Sequence, residues 1–258
     1  MEPRVTAAQL EVERAGEGPP LLFVHGSVVG ADETFRRQRA LAERWNLILP
    51  NRPGFGDSPP LERLDFEAEA PLFAELLGDG AHLVGHSYGA VIALLAAARR
   101  PQAVRSLTVS EPGSLLIAAG HPAVDEMIAN GERLFREQDS IPPEVFLGFF
   151  RSGAGSARSM PEELPESLAR GVELLKTERP SWEAEVPVGE LRRADFPILV
   201  ISGGHSAAFE AVCDALTERL GAERAVISGR GHTVPSTGAP YNKRLEAFLS
   251  SAEAGREA

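Results

Sequence analysis

Short apolar runs alternate with longer segments of helical periodicity along most of the chain. Runs that predict buried strands lie at residues 21–24, 47–49, 81–85, 104–110, 197–201 and 225–227, with a looser outer strand at residues 9–14. Helical patterns cover residues 33–44, 66–78, 87–100, 207–220 and 240–250, and residues 251–258 look like a frayed tail. Nearly continuous apolar strands separated by helices are typical of a parallel sheet covered on both faces. The pattern predicts an α/β fold with a mostly parallel, doubly wound sheet.

Residues 112–194 interrupt this alternation. They are rich in Pro, Glu and Arg, contain no strand-like run, and show helical patterns near residues 123–137, 143–151 and 163–178. We expect an all-helical cap inserted into an α/β core that consists of residues 1–111 and 195–258. An insertion at the C-terminal edge of a parallel sheet lies over the crevice where ligands bind. Most of its large apolar residues should pack the cap onto the core, and Phe146 and Phe149 are our candidates for substrate contact.

Composition narrows the class of partner. The 258 residues fit one large domain or a domain with an insertion, and the 43% hydrophobic content supports a sizeable core. A net charge of -11 argues against binding to nucleic acid or to anionic membranes, and favours a small-molecule substrate. The N-terminus lacks the pattern of a signal peptide and no apolar run is long enough to span a bilayer, so we expect a cytoplasmic protein.

Metal and nucleotide cofactors are not indicated. Cys213 is the single cysteine, which excludes an internal disulfide and argues against a cysteine-based zinc site. The chain also has no H-E-x-x-H helix motif and no G-K-[ST] phosphate loop. We therefore expect a protein that works without a cofactor.

The segment Gly85-His86-Ser87-Tyr88-Gly89 carries the strongest chemical signal. It matches G-x-S-x-G, follows an apolar strand-like run, and precedes a long alanine-rich run that predicts a buried helix. A serine in a tight strand-to-helix turn needs neighbours without a Cβ atom, so that the two elements can pack closely. The free N–H groups of the helix N-terminus favour negative charge that develops beside the serine.

Further landmarks follow in a fixed order. They are His25-Gly26-Ser27 after a strand, the loop Asn51-Arg52-Pro53-Gly54-Phe55-Gly56-Asp57-Ser58, the turn at Ser87, an acid after a later strand, and Gly231-His232 after the last strand. In this order the chain resembles the α/β-hydrolase superfamily, in particular single-domain members with a helical cap. The resemblance covers residues 20–250.

The resemblance implies a role for each landmark. Ser87 is the expected nucleophile and His232 the base that takes its proton. The backbone N–H groups of Ser27 and Tyr88 are the expected oxyanion hole, with the Ser27 hydroxyl as a candidate third donor. Arg52 is expected to brace loops rather than to touch substrate.

The acid departs from the common pattern of the family. Ser206 stands where most members carry an aspartate, and it is better interpreted as the N-cap of the helix at residues 207–220. Glu111, at the end of the strand 104–110, is our candidate for the acid that orients His232. Some members carry the acid after this earlier strand. Glu210 and Asp214 are weaker alternatives, because they lie within the helix.

The expected function is that of a cofactor-free serine hydrolase acting on an ester, thioester or lactone. Two alternatives stay open at this point. The same scaffold supports lyases and cofactor-free oxygenases in which the serine, histidine and acid act as a base. The displaced acid is also compatible with a ligand-binding receptor that has weak catalysis or none.

Overall fold

A computed structural model describes residues 5–153 and 163–257. The elements up to the fifth strand are β1 (Val12–Ala15), β2 (Pro20–Val24), α1 (Ala31–Phe35), β3 (Asn46–Pro50), α2 (Phe66–Leu76), β4 (Ala81–His86), α3 (Tyr88–Arg99) and β5 (Val104–Ser110). They are followed by α4 (Pro122–Arg136), α5 (Pro143–Gly153), α6 (Glu166–Thr177), α7 (Val188–Arg192), β6 (Ile198–Ser202), α8 (Ala207–Leu220), β7 (Glu223–Val226) and α9 (Ala239–Glu257).

The strands form one seven-stranded sheet in the order β1-β3-β2-β4-β5-β6-β7. Strand β1 pairs antiparallel with β3, and all other neighbours are parallel. The strand order reverses between β2 and β4, so the loops that follow these two strands flank a crevice at the carboxyl edge of the sheet. The predicted α/β fold with a mostly parallel sheet is confirmed.

Helices cover both faces of the sheet. Alternate side chains of β2 enter different clusters, with Leu22 and Val24 on one face and Leu21 and Phe23 on the other. The first cluster also contains the apolar residues of α2, α3 and α8, and the second those of α1 and α9. Because successive side chains of a strand point to opposite faces, a strand that is apolar throughout requires cover on both.

Two predicted elements differ from the structure. The prediction of a frayed tail at residues 251–258 is wrong over residues 251–257, because α9 continues to Glu257, and residue 258 lies outside the described residues. Within that stretch Glu253 accepts hydrogen bonds from Arg105 at 3.0 and 3.1 Å, which ties the last turns of the helix to the sheet. The predicted helix 33–44 is instead the short α1 followed by 3-10 turns over Arg36–Glu43.

We call residues 112–194, between β5 and β6, the cap segment. Its described residues hold α4 to α7, and their one pairing with extended chain is an isolated bridge between Leu64 and Glu178. Part of the segment packs on the loop after β2 through a cluster of Val28, Phe146, Leu147, Val172 and Leu175. The division into a core domain and a cap domain stays a prediction.

Within residues 5–153 and 163–257, no helix is both long and apolar enough to cross a membrane.

Candidate active site

Ser87 occupies a strained turn between β4 and α3. Its φ of 55° and ψ of -120° are rare for a residue with a side chain. A Cβ atom added at Gly89 would lie 2.3 Å from the main-chain oxygen of Val24, and one at Gly85 would lie 2.6 Å from the Cα of Ala90. The close approach of strand and helix therefore requires glycine at both positions of the motif.

His232 links Ser87 to Glu111 through its two ring nitrogens. The distance from His232 Nε2 to Ser87 Oγ is 2.8 Å, and from His232 Nδ1 to Glu111 Oε2 it is 3.1 Å. Glu111 follows β5 directly, with a φ of 49°, and its side chain is buried. The structure thus brings together three residues that the sequence singled out, although Glu111 and His232 are 121 residues apart in the chain and Ser87 and His232 are 145 apart. Their catalytic roles stay predictions.

Burial governs the electrostatics of this group. It raises the pKa of the Glu111 carboxyl above its usual range, while the N–H of Gly203, 2.5 Å from Glu111 Oε1, lowers that pKa in part. Burial lowers the pKa of His232, and nearby His205 adds to the effect. A histidine with a lowered pKa is neutral at neutral pH, so its free nitrogen can accept a proton.

The alternative acids have other partners. Arg224 binds Glu210 at 2.6 Å and Asp214 at 2.9 Å, and Glu210 also accepts a hydrogen bond from the main chain of Gly204 at 3.1 Å. Ser206 takes the N-cap position of α8, as predicted, but its hydroxyl makes no capping hydrogen bond. Among these candidates Glu111 is the carboxylate that contacts His232.

The loop after β2 passes next to Ser87. A Cβ atom added at Gly26 would lie 3.0 Å from the Cβ of Ser87, and Tyr88 is the first residue of α3. The backbone N–H groups of Ser27 and Tyr88 therefore stay candidates for an oxyanion hole. The expectation for the Ser27 hydroxyl is wrong, because that hydroxyl donates to Glu178 Oε2 at 2.5 Å.

A buried ionic cluster lies beneath this loop. The Arg52 guanidinium binds Glu69 at 2.8 and 2.9 Å and Glu178 at 2.9 Å, and all three side chains are buried. This agrees with a bracing role for Arg52. The sequence does not point to these two carboxylates, because a lone glutamate gives no sign that it will be buried against an arginine of another segment.

Ser87 and His232 both line a cavity of about 570 Å³. Its walls are mainly apolar side chains, namely Leu115, Met127, Leu134, Phe135, Ile141, Phe149, Phe150, Trp182 and Phe209. Glu126, Arg133 and Glu137 add charge to the lining. A larger groove of about 800 Å³ between α9, α7 and the start of β5 contains none of the residues around Ser87, so we assign it no part in the chemistry.

The two candidate phenylalanines separate in the structure. Phe149 lines the cavity and is 61% exposed, so its contact with substrate stays a prediction. Phe146 is fully buried, does not line the cavity, and packs edge-on against Phe135 with ring centroids 5.6 Å apart. The expectation that Phe146 contacts substrate therefore needs correction. Its ring belongs to the apolar cluster through which the cap segment packs on the loop after β2.

Within residues 5–153 and 163–257, no three His, Cys, Asp or Glu side chains are arranged to hold a metal ion. Cys213 is buried in α8.

Comparison with known proteins defines the class to which this fold and site belong. Residues 21–248 match the model of the alpha/beta hydrolase family, and the chain therefore belongs to that family. The structure resembles an alpha/beta hydrolase from Sphaerobacter thermophilus with a TM-score of 0.67, at 23% identity over 93% of this chain and 96% of the other.

Two relatives are similar to this chain in sequence. The pimeloyl-[acyl-carrier protein] methyl ester esterase of Chromobacterium violaceum is 39% identical over 100 residues, a match that spans 39% of each chain. The 2-(acetamidomethylene)succinate hydrolase of Mesorhizobium japonicum is 27% identical over 87% of this chain and 85% of its own length.

Proposed function

We propose that this protein is a cofactor-free serine hydrolase that cleaves a carboxylic ester, thioester or lactone. The observation that carries the proposal is the hydrogen-bonded series from Ser87 Oγ through His232 to Glu111, with distances of 2.8 and 3.1 Å, at the wall of an apolar cavity. The names of the two relatives, an esterase and a hydrolase, support the same class of reaction.

The mechanism follows from the order of these atoms. His232 Nε2 accepts the Ser87 proton while Ser87 Oγ attacks the carbonyl carbon, and the carbonyl oxygen becomes an oxyanion. The N–H groups of Ser27 and Tyr88 stabilise that charge. His232 then returns the proton to the leaving oxygen or sulfur, the bond to it breaks, and the acyl group stays on Ser87. Water, deprotonated by His232, releases the acid by the same steps in reverse.

Glu111 supports this proton transfer through the other nitrogen of His232. Its carboxylate holds the tautomer in which Nδ1 carries the hydrogen and Nε2 is free to act as base. When His232 becomes an imidazolium, the buried carboxylate opposite it stabilises the new positive charge. The raised pKa of Glu111 and the lowered pKa of His232 both reflect a site in which charge is costly until the two groups form an ion pair.

The cavity favours an acyl group with a substantial apolar part. Pockets of this size usually enclose small molecules, and their few polar groups orient the ligand. Here apolar side chains make up most of the lining that includes Ser87, and the charged residues Glu126, Arg133 and Glu137 come from α4 and the turn after it. We propose that the apolar walls take the acyl group.

Hydrolysis of p-nitrophenyl esters of increasing acyl length tests the proposal. Wild type should show saturable turnover, and Ser87→Ala should lose it by several powers of ten while its thermal unfolding stays unchanged. Ser206→Ala is the matched control, since Ser206 also lines the cavity and its hydroxyl makes no capping hydrogen bond, and it should keep most of the activity. Near-normal turnover by a folded Ser87→Ala protein would contradict the serine mechanism.

Two further measurements separate the alternatives. In water enriched in heavy oxygen, a hydrolase incorporates one labelled oxygen atom into the acid product, whereas an oxygenase takes its oxygen from O₂ and a lyase incorporates none. A fluorophosphonate probe should label Ser87 rapidly in wild type. A ligand-binding receptor with an inactive site would label slowly or remain unlabelled.

A further inference from the structure

The cap segment contacts the loop after β2 at two successive points. At the first, α6 lies directly on the loop, because a Cβ atom added at Gly171 would be 1.8 Å from the main-chain oxygen of Val28. At the second, just beyond α6, Glu178 accepts the hydrogen bond from the Ser27 hydroxyl at 2.5 Å. Val28 itself has a φ of 76°, which is strained for a β-branched residue, so surrounding contacts must hold this loop in shape.

Arg52 extends this contact to the residues that flank Ser87. Its Nη1 donates to Glu178 at 2.9 Å and to the main-chain oxygen of Gly26 at 3.0 Å. Its own backbone N–H donates to His25 Nε2 at 2.9 Å, and its guanidinium carbon lies 4.3 Å from the centre of the Tyr88 ring. One buried arginine thus contacts the Gly26–Ser27 peptide and the Tyr88 side chain, next to both proposed oxyanion donors.

The charges make this arrangement difficult to explain by stability. Arg52, Glu69 and Glu178 are buried, and desolvation of such groups offsets much of their mutual attraction. Burial raises the pKa of Glu178, and the contacts with Arg52 and Ser27 lower it in part. The two oxygens of Glu178 have separate partners, Arg52 for Oε1 and Ser27 for Oε2, which fixes the carboxylate relative to both.

We propose that Glu178 is a positioning residue through which the cap segment sets the geometry of the loop after β2, which carries the proposed oxyanion donor Ser27. The proposal rests on the proposed hydrolase function. Glu178 belongs to the cap segment, whereas the N–H of Ser27 belongs to the loop after β2. The position of α6 on this loop is therefore coupled to the position of the Ser27 N–H in the proposed oxyanion hole. Glu178 does not touch the substrate and acts through Ser27 and through the Arg52 contact with Gly26.

Steady-state kinetics with a small ester, p-nitrophenyl acetate, test this role. In Glu178→Ala both hydrogen bonds are lost, and kcat should fall about 100-fold with little change in KM, somewhat less than when an oxyanion donor is itself removed. Glu178→Gln keeps the shape of the side chain and one oxygen that accepts hydrogen bonds, so its kcat should fall only about tenfold. Glu173→Gln is the matched control, because Glu173 lies on α6 with its side chain 64% exposed, and its kinetics should equal those of wild type.

A double-mutant cycle shows whether Glu178 acts through the loop. Ser27→Ala removes the hydroxyl and keeps the backbone N–H. If Glu178 acts through Ser27, kcat of the double variant Ser27→Ala/Glu178→Gln should be no lower than kcat of the more impaired single variant. The rate of fluorophosphonate labelling should fall in parallel with kcat, because the phosphonyl oxygen occupies the same hole.

The outcomes separate the two proposals. Unchanged kcat in folded Glu178→Gln and Glu178→Ala, a change in KM alone, or additive losses in the cycle would overturn the positioning role while leaving the hydrolase function intact. Should Glu178→Ala fail to fold, Glu178→Gln and the cycle still decide the question. A wild type no faster than Ser87→Ala would overturn both proposals.

Discussion

The edge of the sheet and the cap segment hold their candidate functional residues in different ways. Ser87 and Glu111 follow two adjacent parallel strands, both with positive φ, and Glu111 is fully buried. Phe149 lies on α5 and is 61% exposed beside the cavity. The proposed chemistry therefore depends on a few rigid, strained positions, whereas the walls that would select a substrate lie on partly exposed helices. Changes at the sheet edge should abolish turnover, and changes in the cap segment should alter preference or stability.

Loss of the Glu111 charge is the strongest test of this contrast. Glu111→Gln keeps the shape but removes the carboxylate 3.1 Å from His232 Nδ1, so kcat for an ester should fall by roughly four orders of magnitude. Glu210→Gln and Asp214→Asn, whose carboxylates bind Arg224, should stay close to wild type. A fully active Glu111→Gln enzyme would show that the sheet edge does not supply the acid.

Phe146→Ala should affect stability rather than catalysis. The ring is fully buried between cap segment and loop, and its removal leaves a cavity that costs about 3–5 kcal/mol of unfolding free energy. Urea unfolding monitors this loss, with Val145→Ala as the exposed neighbour on α5 that should change little. A Phe146→Ala protein that is as stable as wild type but has an altered acyl preference would contradict this prediction, because Phe146 would then act on substrate rather than on packing.

The pH dependence of stability should come mainly from buried histidines outside the cap segment. Burial lowers the pKa of His25 to about 3 and of His86 to about 4, and it lowers those of His82 and His232 as well. An unfolded histidine has a pKa near 6.5, so below about pH 6.5 the unfolded chain binds protons that the folded chain does not. Stability is therefore complete above about pH 6.5 and falls as the pH is lowered.

Two carboxyls oppose this trend. Burial raises the pKa values of Glu111 and Glu178, so above about pH 4.5 the folded chain binds protons at these sites that the unfolded chain does not. The histidines are more numerous, and a net loss of about 1.4 kcal/mol per pH unit for each excess proton should remain between about pH 6 and pH 5. Unfolding in urea across this range measures the slope. Phe146→Ala should lower the whole curve without changing its slope.

Phe149→Ala should have the smallest effect, confined to selectivity. The side chain lines the cavity but is mostly exposed, so its loss should cost little stability. The ratio of kcat/KM between long and short acyl esters should shift by about tenfold, the lower end of the range over which apolar pockets discriminate. If this ratio and the stability are both unchanged, Phe149 is a surface residue without influence on the substrate.

Much of the sheet could be predicted because its signals are local. The strand 104–110 and the helix 207–220 agree with the structure at both ends, since each is bounded by residues that stop the element. The sequence of residues 251–257 is mostly small and polar, a pattern typical of a frayed tail, yet these residues are helical in the structure. What holds them helical is a contact of Glu253 with Arg105, which lies 148 residues earlier.

The candidate site divides in the same way. The sequence predicts the turn at Ser87, since two glycines, a preceding strand and a following helix are all within a few residues of one another. It also ranked Glu111 above Glu210 and Asp214 from their positions relative to strand ends. Only the contacts of the folded chain show that Phe146 is buried away from the cavity, that Phe149 lines it, and that the Ser27 hydroxyl donates to Glu178. Periodicity shows which face of a helix is apolar, but the partner of each side chain depends on contacts between segments far apart in the chain.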